Sequence, residues 1–219
     1  MGAQGHDIRG KELVDKTVVQ GNTEFALDLY GQLREAKGNL FFSPYSISTA
    51  LAMTYAGARG ETEQQMARTL RFRRGQKQLH PAFASLQARL DTVQKKGNIQ
   101  LRIANALWPQ ERYAFLEAFL ALMKECYGVQ ITPLDYGNPE TARTKINAWV
   151  EEKTASKIRD LIKPGILDPL TCLVLTNAIY FKGDWASQFD KTHTKDTAFW
   201  VAPTEKVEVP LMTLEQSFG

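Results

Sequence analysis

The chain has 219 residues, 43% of them hydrophobic, and carries 27 basic against 24 acidic side chains. This composition is ample for a packed core, and the net charge of +3 is too small to indicate a nucleic-acid partner. No apolar run is long enough to span a bilayer. Cys126 and Cys172 lie in apolar segments, so neither a disulfide framework nor a metal site is predicted.

The first segments predict helices around one short strand. Residues 22–37 repeat apolar side chains at helical spacing and predict an amphipathic helix. NLFF (39–42) predicts a short buried strand. Ser43 followed by Pro44 predicts the start of a buried helix, with Ser43 as its N-cap.

Two further helices are predicted before residue 95. GETEQQMARTL (60–70) predicts a short surface helix that begins with a capping box formed by Thr62 and Gln65. Pro81 is predicted to open the next helix, because proline suits the first helical position.

Two predicted strands carry an asparagine within an apolar row. IQLRIANALW (99–108) alternates, so Asn105 shares a face with bulky aliphatic residues. LVLTNAIYFKGDW (173–185) is apolar on both faces around Asn177, which predicts a strand in the centre of a sheet.

The remaining segments mix both element types. A helical stripe over 115–126 ends at Gly128, VQITPL (129–134) predicts an edge strand, and a further helix begins at Pro139. DTAFW and VEVPLM predict two more strands. The lack of regular βαβ alternation favours an α+β fold, and the absence of a linker favours one domain over residues 1–219.

The sequence contains few candidates for catalytic residues. There is no G-x-S-x-G elbow, metal-binding motif or phosphate loop, so we expect no catalytic residue, no metal and no cofactor. The three histidines, His6, His80 and His193, are expected on the surface. Ser43 with His80 stays open as a hydrolase alternative, although a serine before proline at a helix start is far more often a cap.

A basic segment near KKGNIQLR has two interpretations. Arg89, Lys95, Lys96 and Arg102 could contact a sulfated polysaccharide. A solvated, charged helix end accounts for the same residues.

Four polar residues stand in apolar settings: Ser43 and Ser46 on the buried helix, and Asn105 and Asn177 on the strands. An unpaired buried amide costs about 1–3 kcal/mol, so Asn177 needs partners, and hydroxyls on a neighbouring helix would serve. The group is either a static core cluster or a polar latch under a sheet that opens.

Two of these segments closely resemble the serpin family, the serine protease inhibitors. They are NLFFSPYSISTALAMTYAGARGETEQQMARTL (39–70) and LTNAIYFKGDW (175–185), and the resemblance continues in order along nearly the whole chain. It implies a serpin-type fold, in which helices pack on a large mixed sheet A beside smaller sheets B and C, here incomplete.

The resemblance also implies roles for particular residues. Ser43, Ser46, Asn105 and Asn177 match the shutter, where central strands part, and Trp185 matches the breach tryptophan at the top of sheet A. The helix over 139–153 matches the one that crosses sheet A and is displaced when the loop inserts.

The implied function is suicide inhibition of a serine or cysteine protease by insertion of a cleaved reactive loop into sheet A. A non-inhibitory carrier, storage or chaperone serpin is the alternative. Family members are longer than this chain, so we expect the N-terminal portion of the fold, partnered by a missing C-terminal portion and a target protease. No nucleic-acid or membrane partner is expected, and the location implied is extracellular or periplasmic, although the first ten residues lack the apolar core of a secretory signal.

Overall fold

The computed structural model describes residues 8–94 and 99–215. Within these ranges the chain forms six α-helices and five β-strands. The helices are α1 (Ile8–Leu33), α2 (Pro44–Tyr55), α3 (Gly60–Thr69), α4 (Gln76–Gln94), α5 (Glu117–Tyr127) and α6 (Pro139–Lys153). The strands are β1 (Ile99–Pro109), β2 (Gln130–Ile131), β3 (Leu173–Gly183), β4 (Lys195–Ala202) and β5 (Glu205–Leu211).

The chain divides into two units, Met1–Phe181 and Lys182–Gly219. The first unit contains a sheet with the strand order β2–β1–β3. β1 and β2 are parallel, with Ala106 opposite Gln130. β1 and β3 are antiparallel, because Gln110 just after β1 is bonded to Cys172 just before β3, whereas Asn105 within β1 is bonded to Asn177 within β3. The sheet is therefore mixed, as expected.

One face of this sheet rests on a helical core. Buried residues of α2, α4 and α5 pack together with residues of α1 and β1, which brings apolar stripes from four helices onto one side. Members of this core include Met53, Leu79, Phe83, Leu107 and Met123. We refer to this side as the helical face.

The opposite face of the sheet is covered by α6. Its buried residues Ala142, Ile146, Trp149 and Val150 pack against Ala106 and Trp108 of β1 and Ala178 of β3. We refer to this side as the α6 face. Because both faces are covered, β1 changes from an alternating burial pattern to continuous burial at Asn105.

The position of β3 differs from the prediction. Within the described residues the central strand is β1, and β3 has a strand neighbour on one side alone. Its apolar residues are consequently only partly covered at the two ends, where Leu173 is 36% and Phe181 is 65% exposed.

The second unit contains an antiparallel hairpin. β4 and β5 pair from Lys195 opposite Leu211 to Ala202 opposite Glu205, with an irregularity between Trp200 and Ala202. This confirms the two strands predicted from DTAFW and VEVPLM. A short 3₁₀ helix precedes the hairpin, capped by Asp190, whose side chain accepts a hydrogen bond from the main-chain nitrogen of Thr192 at 2.8 Å.

Three local predictions are wrong. NLFF forms no strand, and Phe41 is 94% exposed, because nothing in the described part of the chain packs over it. The capping box fails because α3 begins at Gly60, which places Thr62 inside the helix and leaves Gln65 bonded to Glu61. α4 begins at Gln76, so Pro81 lies within it instead of opening it.

Among the described residues, none of the helices has the length and apolar character needed to cross a membrane.

Candidate functional site

The site begins at the first turn of α2. Ser43 has extended backbone angles, and its Oγ accepts a hydrogen bond from the main-chain nitrogen of Ser46 at 3.3 Å. Pro44 at the next position needs no hydrogen-bond partner for its nitrogen, so the sequence Ser-Pro starts the helix efficiently. Ser43 is thus the N-cap, as the sequence indicates. The cap fixes the turn that carries Ser46, whose side chain is buried.

The hydroxyl of Ser46 reaches the middle of β3. Its Oγ donates to Oδ1 of Asn177. The Nδ2 of Asn177 then donates to Oδ1 of Asn105 at 2.7 Å, and Asn105 is 8% exposed. We call Ser46, Asn105 and Asn177 the polar cluster. It joins α2, β3 and β1 on the helical face of the sheet, where an unpaired amide would cost about 1–3 kcal/mol.

The hydrogen bonds of the polar cluster run in one direction. The Nδ2 of Asn105 donates to the main-chain carbonyl of Tyr127 at 3.4 Å. Because a carbonyl can only accept, Asn105 must turn its Oδ1 toward Asn177, and Asn177 must turn its own Oδ1 toward Ser46. Each asparagine uses both a donor and an acceptor, which a carboxylate could not supply.

Among the described residues, no hydrogen bond joins Ser43 to Asn177. It is joined to the polar cluster through the main-chain nitrogen of Ser46. Of the two hydroxyls expected to meet the amide, Ser46 alone does so. The shutter role of all four residues stays a prediction of the family resemblance.

His80 and Tyr127 form a buried polar pair that the sequence did not indicate. His80 is 1% exposed, which makes its predicted surface position wrong, and its Nδ1 lies 2.6 Å from Oη of Tyr127. Burial and, to a lesser extent, the charge of Arg59 lower the pKa of His80 to about 4. Burial also raises the pKa of Tyr127 strongly. A helix starting at Gln76 would have placed His80 on the same side as Phe83, which is the signal that was missed.

The α6 face carries a different kind of contact between the strands. The Nε1 of Trp108 on β1 donates to Oγ1 of Thr176 on β3 at 2.9 Å. The indole of Trp149 on α6 meets Trp108 edge to face, with ring centres 5.8 Å apart. The hydroxyl of Tyr136 donates to the main-chain carbonyl of Trp108 at 2.8 Å, which further fixes this residue.

α6 is the helix expected to lie across the sheet. Its Asn147 holds the following segment, since Nδ2 donates to the carbonyl of Ile162 and Oδ1 accepts from its nitrogen, both at 2.9 Å. Ile162 itself packs against the buried residues of the α6 face. Displacement of α6 during function stays a prediction.

The other predicted site residues are spread over the chain. Trp185 belongs to the second unit, where it is 65% exposed and meets Phe189 with ring centres 5.5 Å apart. Its breach role stays a prediction. Arg89 on α4 and Arg102 on β1 are exposed, and the guanidinium carbon of Arg102 lies 5.9 Å from the ring centre of Tyr180. Lys95 and Lys96 lie outside the described residues.

The geometry of the described residues supports neither the hydrolase alternative nor a metal site. The Oγ of Ser43 and the Nδ1 of His80 each have another partner, the nitrogen of Ser46 and the hydroxyl of Tyr127. Across residues 8–94 and 99–215 there is no group of three histidine, cysteine, aspartate or glutamate side chains that could hold a metal ion.

The mixed sheet lies between a helical core and the single helix α6. Two asparagines and a serine are hydrogen-bonded to one another at its centre. These features define an α+β protein with helices packed on both faces of its sheet. The family model Serpin, described as serine protease inhibitor, matches residues 20–219. The chain belongs to the serpin family.

The individual relatives agree with this assignment. The leukocyte elastase inhibitor of Bos taurus is 43% identical over 200 residues, which is 90% of this chain and 52% of the relative. Serpin B6 of Macaca fascicularis is 42% identical over 206 residues, or 92% of this chain and 54% of the relative. The chain thus spans about half the length of the curated relatives that it matches.

Solved structures show the same fold. Ovalbumin from the emu, Dromaius novaehollandiae, superposes with a TM-score of 0.81 at 31% identity, covering 90% of this chain and 54% of ovalbumin. Cleaved kallistatin complexed with heparin gives a TM-score of 0.82 at 29% identity, covering 90% of this chain and 58% of kallistatin. The expected serpin-type fold is confirmed.

Proposed function

We propose that the complete protein inhibits a serine protease, or a cysteine protease, as a suicide substrate. In this proposal the protease cleaves a reactive loop, remains attached as an acyl-enzyme, and is trapped when the loop enters the sheet that contains β1 and β3. The observation that carries the proposal is the polar cluster beneath β3, the strand with a neighbour on one side alone among the described residues.

The chemistry of β3 suits strand addition. A strand edge presents main-chain N–H and C=O groups that an added strand can pair with, and the addition buries further apolar surface. Beneath the strand, hydrogen bonds of the polar cluster can break and form again with a new partner, whereas interdigitated aliphatic side chains resist separation. A polar cluster at this position therefore suits a sheet that opens to accept an added strand.

The substitution Asn177→Leu in the full-length protein tests the proposal. We expect the rate of covalent complex formation with a target protease to change by at least about tenfold, or polymerisation to increase, because the cluster loses its central member. A panel of elastase-like, chymotrypsin-like and cathepsin-like proteases and a denaturing gel detect the complex.

The matched control is Thr176→Val on the same strand. It removes the bond with Trp108 on the opposite face and lowers stability without touching the cluster. If Asn177→Leu changes stability alone, as the control does, the cluster is a static part of the core and the proposal loses its basis. If the unaltered protein forms no covalent complex with any protease of the panel, the result favours the non-inhibitory alternative.

The proposal assigns no catalysis to this chain. The matching family model is described as serine protease inhibitor, and the hydroxyl of Ser43 is engaged as a helix cap. Labelling of the full-length protein with a fluorophosphonate probe tests this assignment, and stoichiometric modification of Ser43 would contradict it.

A sulfated polysaccharide is proposed as an additional partner. One support is that kallistatin, a structural neighbour, was crystallised with heparin. The other is that Arg89 and Arg102, which precede and follow Lys95 and Lys96 in the sequence, have exposed side chains. We expect elution from immobilised heparin to require less salt when Arg89 and Arg102 are replaced by serine. Equal elution of this variant and the unaltered protein would assign these residues to a solvated surface.

An extracellular or periplasmic location completes the proposal. An inhibitor must meet its target protease, and this proposal places that meeting outside the cytosol. Fractionation of the source cells, followed by detection with an antibody to this chain, tests the location, and exclusive recovery from the cytosol would contradict it.

A further inference from the structure

The hydrogen-bonded chain that starts at Ser46 does not end at Asn105. It continues through the main-chain carbonyl of Tyr127 into α5, and from the Tyr127 hydroxyl to His80 in α4. Four separate elements and β3 are thereby connected by one series of polar contacts. Neither His80 nor Tyr127 belongs to the residues that the resemblance assigned to the shutter.

Tyr127 is the last residue of α5, and this position explains why its carbonyl is available. The final carbonyls of a helix have no partner within the helix. Gly128 ends α5 with φ of 58°, a left-handed conformation that turns the chain away from the helix axis. The side chain of Asn105 supplies the hydrogen bond that the helix cannot, so β1 caps the C-terminus of α5.

The side chain of Tyr127 is held from the other direction. It is 6% exposed, and its ring meets His80 edge to face with ring centres 5.7 Å apart. Phe83, one turn further along α4, lies against the same ring with centres 6.1 Å apart. The 2.6 Å contact between Oη and Nδ1 then fixes the ring within this packing. α4 thus determines where the end of α5 lies.

We propose that His80 and Tyr127 are positioning residues for the polar cluster. Their contact holds the last turn of α5 so that the Tyr127 carbonyl points at Asn105, and this carbonyl sets the orientation of both asparagine amides toward Ser46. The connection to sheet opening rests on the proposed function. The orientation of the amides does not, and it can be measured separately.

The test uses the full-length protein with ¹⁵N-labelled asparagine side chains. Tyr127→Phe removes the hydroxyl and keeps the ring, His80→Leu removes the polar partner, and His80→Asn retains a polar atom near the Nδ1 position. Tyr30→Phe is the matched control, because Tyr30 is 51% exposed on α1. NMR spectroscopy follows the chemical shift and the water exchange of the Nδ2 protons of Asn105 and Asn177.

We expect Tyr127→Phe and His80→Leu to shift the side-chain signals of both asparagines and to accelerate exchange by at least about fivefold. His80→Asn and Tyr30→Phe should leave exchange within about twofold of the unaltered protein. Unchanged signals in Tyr127→Phe would overturn the proposal, and this variant decides the matter if His80→Leu does not fold.

The rate of covalent complex formation with the target protease separates the two proposals. If the amides move as expected and the rate changes, both stand. If the amides move while the rate stays unchanged in Tyr127→Phe and in Asn177→Leu alike, the positioning role stands and the proposed role of the cluster in sheet opening fails.

Discussion

The buried His80 makes stability depend on pH in a way that can be calculated. Its pKa is lowered from 6.5 to about 4, mainly by burial and secondarily by Arg59. One pKa unit corresponds to about 1.4 kcal/mol, so the complete effect is about 3 kcal/mol. The side chain is 1% exposed, so solvent screening reduces this little.

The sign follows from the two protonation states. Below pH 6.5 the unfolded chain takes up a proton on this imidazole, whereas the folded protein does so only near pH 4. Stability is therefore lost as the pH falls from 6.5 toward 4, and between pH 6.5 and 5 the loss is about 1.6 kcal/mol. The imidazole faces the rings of Tyr55 and Tyr127, and burial together with the charge of Arg59 disfavours its protonated form.

The assay is urea unfolding of the full-length protein at intervals from pH 7 to pH 5. The variant His80→Asn has no imidazole and should lose about 1.6 kcal/mol less between pH 6.5 and pH 5. Comparison of the two proteins cancels the contribution of carboxylates that titrate in both. His193→Asn, in the second unit, controls for the loss of a histidine at an exposed position.

Parallel pH profiles of the unaltered protein and His80→Asn would refute this reasoning. A direct measurement is the NMR titration of the His80 ring protons. An imidazole that titrates near 6.5 in the folded protein would show that it is hydrated, which contradicts the burial on which the argument depends.

Three further predictions concern single contacts. Replacing Gly128, at φ 58°, by alanine should lower the unfolding free energy by about 1 kcal/mol. Gly31→Ala in α1, where a Cβ meets no neighbouring atom, should raise it by about 0.5–1 kcal/mol. Equal effects in thermal unfolding would contradict the left-handed cap at Gly128. A double-mutant cycle of Trp108→Phe and Thr176→Val should give a coupling of about 1 kcal/mol, and additivity would exclude their bond. Asn105→Asp should destabilise the protein more at pH 7 than at pH 4, because the carboxylate lacks the donor that the carbonyl of Tyr127 requires. Urea unfolding measures this difference, and a difference of opposite sign would show that the donor is dispensable.

The parts of the fold that the sequence predicted well are those with local signals. Ser43 before Pro44 places the start of α2 because cap and proline act within one turn. Gly128 places the end of α5 because its left-handed conformation excludes most other residues. Such signals need no knowledge of the tertiary structure.

The failures arise where tertiary contacts decide. NLFF has the composition of a buried strand, but burial depends on a partner, and Phe41 is exposed in the described structure. Pro81 is compatible with the first helical position, yet the helix already begins at Gln76. Leu79 and His80, which precede the proline, are buried in the core, and this packing stabilises the additional residues as helix.

The polar cluster was predictable in its residue types but not in its pairing. Ser46 and Asn177 are 131 positions apart, and only the resemblance placed them together. Tyr127 contributes a main-chain carbonyl, which any residue would carry, so no pattern of side chains could have indicated it. The choice between Ser43 and Ser46 as the partner of Asn177 depends on the orientation of one helical turn, which the cap at Ser43 determines.

The contacts on the two faces together determine where the sheet can part. On the helical face Asn105 is bonded to Asn177, and on the α6 face Trp108 is bonded to Thr176. Because a slip of one residue exchanges the faces of a strand, it would break both contacts at once and bury unpaired polar groups on each side. β1 and β3 are therefore fixed to each other in one register, and an added strand meets less resistance along the other side of β3 than between them.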